Sequence, residues 1–82
     1  MDFKKIILRK LFRRRIIGGK HTAIEHLTNG LPTHAVGDAK DAINELIKGR
    51  FILAKPTSYG LQVSLNPEKI DEICRIIGDV LI

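Results

Sequence analysis

The stretch His21–Leu65 constrains this chain most, because it reads in order as helix, turn, helix and two-stranded hairpin. Thr22-Ala23-Ile24-Glu25 has the form of a capping box, in which the Thr hydroxyl accepts the Glu25 amide proton and the carboxylate reaches back. Ile24 and Leu27 supply an apolar face, and Asn29-Gly30-Leu31-Pro32 is expected to end this helix after about two turns. Pro32–Gly37 reads as a short connection. A second helix is expected from Asp38, as N-cap, to about Lys48, with Ala39, Ala42, Ile43, Leu46 and Ile47 inward. Gly49 stands where a left-handed C-terminal residue is wanted. Phe51–Lys55 and Leu61–Leu65 are strand-like runs around Pro56–Gly60. The nearly apolar first run predicts a strand covered on both faces. The second alternates with Gln62 and Ser64, as a half-buried strand would.

The flanks read as helices. Asp2–Ile17 has Asp2 as N-cap and Phe3, Ile7, Leu8, Leu11 and Phe12 on one face, with Lys5, Arg9 and Arg13 opposite. Gly18-Gly19 ends it, and Gly19–His21 is a candidate short strand pairing with the hairpin. Asn66-Pro67-Glu68 places an N-cap, an N1 proline and a first-turn acid at the start of a last helix. Its stripe is Ile70, Ile73, Cys74, Ile77 and Val80 or Leu81, with Ile76 and Ile82 off it.

With 82 residues, 44% hydrophobic and 28% charged, the chain is expected to be one globular domain, residues 1–82. Its apolar runs are too short for a membrane span or a signal-peptide core. The lone Cys74 has no internal disulfide partner and reads as a buried thiol, so a cytoplasmic location is expected. Net charge is +5, unevenly placed. The first twenty residues hold eight cationic side chains against Asp2 alone, and the remainder holds six against eight acidic ones.

Catalytic chemistry is not indicated. His21 and His26 are five apart and miss the i,i+4 spacing of two metal ligands, and His34 is remote from both, so no metal site is expected. Ile17-Gly18-Gly19-Lys20-His21-Thr22 lacks the first glycine of a phosphate loop and its preceding strand. Asp38 and Asp41 are helix-start residues, not an acid–base pair. No cofactor and no enzyme activity are expected.

Lys20-His21-Thr22, Glu25, Leu27, Gly30-Leu31-Pro32, Gly37-Asp38-Ala39-Lys40, Ala42-Ile43 and Glu45-Leu46 form a recognisable series of strings. Lys55-Pro56-Thr57-Ser58-Tyr59-Gly60 and Val63-Ser64-Leu65-Asn66-Pro67 continue it. On these residues the segment resembles the winged helix-turn-helix superfamily, and within it small archaeal winged-helix proteins. The resemblance implies an α+β winged helix-turn-helix fold and nucleic-acid binding; it brings no operator or ligand, because fold alone does not fix function.

The residues themselves suit double-stranded DNA. The helix from Asp38 to Lys48, with His34 in the turn before it, would present His34, Lys40, Asp41 and Asn44 to the major groove, where Asn pairs with adenine and Lys with guanine, with Lys48 on the same stripe as Lys40 and Asn44. Arg50, Lys55, Thr57, Ser58 and Tyr59 of the wing suit phosphate contacts, and Arg13 and Arg14 add sequence-independent attraction. Asp38, Asp41 and Glu45 oppose this, since their carboxylates would repel phosphate. The expected function is a small transcriptional regulator. The alternative is a protein-interaction module without DNA binding. In either case a homodimer is expected through the apolar surplus of the end helices, Phe3, Ile7, Ile73, Ile77 and Leu81. A membrane-surface role for the basic first helix conflicts with the need for its apolar face in the core. No small-molecule ligand is expected either, because a chain of this size leaves little volume beyond its core.

Overall fold

The computed structural model describes residues 2–78. The order is α1 (Phe3–Arg13), β1 (Thr22–Ala23), a 3₁₀ turn (Ile24–Leu27), α2 (Thr33–Lys48), β2 (Ile52–Thr57), β3 (Gly60–Leu65), a second 3₁₀ turn (Pro67–Lys69) and α3 (Ile70–Ile77). The fold is therefore α+β, with three α-helices and an antiparallel sheet of order β1-β3-β2.

Asp2 starts α1 as expected, its Oδ1 accepting the Lys5 amide at 3.1 Å. The helix ends earlier than Ile17, however. Arg15 turns left-handed at φ 56°, its amide donates to Phe12 O, and the Ile16 amide donates to Leu11 O. This pair of bonds is a Schellman motif, and it folds Ile16 back into the core beside Leu11. Burial of Ile16 outweighs the one further helical turn that the sequence pattern suggests.

The region after it departs most from expectation. Thr22 and Ala23 are not a helix start; they pair with Val63 and Gln62 of β3. The capping box is absent: the 3₁₀ turn has no side-chain cap, and Thr22 Oγ1 is hydrogen-bonded to His26 Nδ1 at 2.7 Å instead. Once β3 claims this backbone, only one turn of helix fits before Gly30, which sits at φ 86°. The candidate strand Gly19–His21 lies one step later, at Thr22–Ala23.

Nor does α2 wait for Asp38. It begins at Thr33, directly after Pro32, and incorporates the supposed connection. Ala35 continues the buried stripe Ala39, Ala42, Ile43 and Leu46 back by one turn, which gives the extension a core contact. At the other end Gly49 keeps φ −79° and Arg50 takes the left-handed position at φ 65°. The Arg50 and Phe51 amides donate to Ile47 O and Leu46 O, a second Schellman motif. Gly49 is needed for another reason: a Cβ there would stand 3.1 Å from the Phe51 ring.

The hairpin is tighter than the expected connection Pro56–Gly60: Pro56, Thr57 and Gly60 join the ladder, with Thr57 opposite Gly60 and Ile52 opposite Leu65, so Ser58 and Tyr59 alone make the turn. Gly60 holds φ 113°, which suits glycine alone. But β2 is not covered on both faces. It is an edge strand in which Ile52 is buried, while Leu53 is 37% exposed and Ala54–Thr57 are exposed. Beyond β3, Asn66 caps as expected, its Oδ1 accepting the Glu68 amide at 3.1 Å and its Nδ2 donating to Arg50 O at 2.8 Å. The core gathers Ile7, Leu8 and Leu11 of α1, Ile43 and Leu46 of α2, Val63 and Leu65 of β3, and Ile73 and Ile77 of α3. Val80, Leu81 and Ile82 lie outside the described residues.

Candidate nucleic-acid interface

Starting at Thr33 gives α2 four and a half turns or so, and its polar residues border two hollows. On one side Lys40 and Asn44 border a cleft of about 380 Å³ against the first 3₁₀ turn. Ile24, Val36 and Ile43 form its apolar floor, and Glu25 and Thr28 complete the rim. On the other side Asp38, Asp41 and Glu45 share a shallow hollow with Asp2, Phe3 and Lys4 at the start of α1. There Glu45 Oε2 lies 2.8 Å from Lys4 Nζ. The hydrogen bond and charge of Lys4 hold the Glu45 carboxyl below its ordinary pKa, with Lys48 helping from further away. Glu45 is thus tied to Lys4, and Asp38 lies across α2 from Lys40, whereas Asp41 is one turn before Asn44 and neighbours it on the helix surface.

The 3₁₀ turn separates two polar surfaces. Glu25 and Thr28 face the α2 cleft, while His26 and Asn29 line a smaller cleft, about 250 Å³, with Lys10 and Arg14. Lys10 Nζ donates to the carbonyls of His26 (2.8 Å) and Asn29 (3.3 Å), so this cation holds the turn against α1. Several other N-terminal cations also bind carbonyls: Arg9 donates to Ile77 O, Arg15 to Phe12 O and Lys20 to Arg14 O. Arg13 and Arg14 are exposed at the end of α1. The hairpin approaches the α2 cleft as well, since a Cβ on Gly60 would stand 4.0 Å from Glu25 Oε1.

At the hairpin tip Tyr59 is 92% exposed, with Ser58 and Lys55 exposed beside it. Thr57 is exposed too, but its hydroxyl is engaged within the turn. It donates to Gly60 O at 2.7 Å and accepts the Tyr59 amide at 3.2 Å. His34 is exposed in the first turn of α2 and Lys48 in the last. Arg50 stands apart. It borders a hollow with Leu53, Asn66 and Lys69 at the base of the hairpin, roughly 25 Å of extended chain from Tyr59.

The expected dimer residues are turned inward. Ile7, Ile73 and Ile77 are at most 1% exposed, and Phe3 packs against the same core. Leu81 lies outside the described residues. What α1 and α3 leave outside is Ile6 and Ile76, at 38% and 39%. The cleft residues Glu25, Thr28 and Val36 escaped sequence reasoning. Val36 is one turn before Lys40, a signal hidden as long as the helix was placed from Asp38 onward. Among the described residues no helix is long and apolar enough to cross a membrane. Compared with protein-family models, curated proteins and solved structures, the chain matches none.

Proposed function

We propose that this chain is a winged helix-turn-helix protein that binds double-stranded DNA as a small transcriptional regulator. In this reading α2 enters the major groove with Lys40 and Asn44 toward base edges, and the 3₁₀ turn takes the place of the first helix of the motif. Ser58, Tyr59 and Lys55 of the hairpin tip lie along one phosphate strand. Arg13 and Arg14 supply attraction without sequence preference.

The observation that carries the proposal is the sorting of charge on α2. Lys40 and Asn44 border one cleft, while Asp38, Asp41 and Glu45 lie on the side of Lys4. Lys4 neutralises Glu45, the carboxylate next to Asn44 in the chain, which lowers the cost of approaching phosphate, and Asp41, one turn before Asn44, is placed to accept from a cytosine amino group. Fluorescence anisotropy of a labelled random duplex tests it. The expected result is saturable binding at low salt that weakens steeply as salt rises; absence of binding at low salt overturns the proposal.

A further inference from the structure

The cleft between α2 and the first 3₁₀ turn has features that duplex binding does not use. Its floor of Ile24, Val36 and Ile43 is aliphatic, and its rim carries one cation, Lys40, and one anion, Glu25. Among the described residues the ion pairs are Lys4–Glu45 and Lys69–Glu72, so Lys40 and Glu25 border one cleft without neutralising each other. Its volume of about 380 Å³ is at the low end of the range for small-molecule sites. Sites of that kind combine an apolar lining with a few convergent polar groups.

We infer that this cleft binds a small aliphatic zwitterion, of which a branched-chain α-amino acid is the simplest example. A carboxylate would meet Lys40 and the Asn44 amide, an ammonium group would meet Glu25, and the hydrocarbon body would cover the apolar floor. Each charge finds an opposite one, which a simple anion or a simple cation could satisfy only in part. A purely apolar ligand would desolvate both charges without replacing their water. The site stands independently of the nucleic-acid reading. If both hold, the zwitterion covers Lys40 and Asn44 and competes with duplex.

The test is a nitrogen–proton correlation NMR titration of the full chain, without nucleic acid, so that it can fail separately from the duplex experiment. L-leucine is compared with its single-charge relatives 4-methylpentanoate and 3-methylbutylamine. Leucine is expected to give saturable shifts at Ile24, Glu25, Val36, Lys40 and Asn44 with a Kd below about 1 mM. Each relative should bind roughly tenfold more weakly, the loss expected for one charge-assisted hydrogen bond. Lys40→Met should weaken leucine roughly tenfold and abolish its advantage over the amine, while Glu25→Gln should abolish its advantage over the carboxylate. A variant that merely disturbed the fold would weaken all three compounds alike. The inference is overturned if leucine gives no saturable shift up to about 10 mM, or if the three compounds bind equally.

Discussion

Arg15 and Arg50 occupy left-handed backbone positions at φ 56° and 65°, each the C′ residue of its helix. A side chain there costs about 1–2 kcal/mol relative to glycine in the folded state. Glycine in turn loses about 0.5–1 kcal/mol through the freedom of the unfolded chain. The first effect is larger, and the Arg50 side chain is exposed. Arg50→Gly should therefore raise stability by about 0.5–1 kcal/mol, seen as a higher urea midpoint with unchanged slope. A lower midpoint would mean that the Arg50 guanidinium contributes packing or a charge contact that outweighs its backbone strain. Glu45 is a residue-scale case of a different kind. Its carboxyl pKa is lowered chiefly by Lys4, so the stabilisation it contributes is present above the pKa of the unfolded chain and is lost as pH falls through the lower folded value. The pair is exposed, and its effect on stability is small. The cleaner readout is the Glu45 carboxyl resonance, which in Lys4→Met should titrate at higher pH than in the parent chain. An unchanged titration would show that Lys48 or the helix holds the carboxylate instead.

At the scale of elements, α2 shows what a sequence discloses and what it hides. Ala39, Ala42, Ile43 and Leu46 were legible as a helix face because spacing alone identifies them, and all four are buried. Asn66-Pro67-Glu68 and the Asp2 cap were legible because capping is a local matter. The helix start was not, since Gly37 and Pro32 look like connection residues and only the burial of Ala35 in the folded chain reveals otherwise. The strand Thr22–Ala23 was obscured in the same way: its Thr-x-x-Glu string is a good helix start locally, and β3 overrides it from forty residues away or so. The candidate site inherits these errors. Lys40 and Asn44 could be read from the sequence, whereas the opposite wall of their cleft depends on a 3₁₀ turn whose position the strand fixes. Gly37 offers a direct check. It lies inside α2 with negative φ, and nothing stands within 4 Å of the place a Cβ would occupy. Gly37→Ala should stabilise the protein by about 0.5–1 kcal/mol through helix propensity alone. A loss of stability would place the true start of the helix nearer Asp38.

Across the whole molecule the charges are divided by the length of α1. Arg13 and Arg14 are at its end, and Asp2, Asp38, Asp41 and Glu45 gather at its start. Eleven residues of helix put roughly 16 Å between the two groups. At physiological ionic strength the Debye length is about 8 Å, so a polyanion touching the arginines is largely screened from the carboxylates. At about 0.01 M salt the length grows to about 30 Å and the carboxylates are felt. If duplex meets the arginine end and the Lys40–Asn44 edge, the substitutions separate by their salt dependence. Arg13→Gln and Arg14→Gln should each reduce the slope of log affinity against log salt by about 1, equally for all sequences. Lys40→Ala and Asn44→Ala should instead diminish the preference among sequences, by about 1–3 kcal/mol for a lost base contact. Asp38→Asn, across α2 from Lys40, should raise affinity at low salt and change it little at physiological salt. The reverse pattern is equally diagnostic: a gain from Asp38→Asn that persists at physiological salt, with an unaltered slope for the arginine variants, would put the phosphates at the start of α1. Lys40 and Asn44 would then face away from the duplex, and α2 could not be the reading helix.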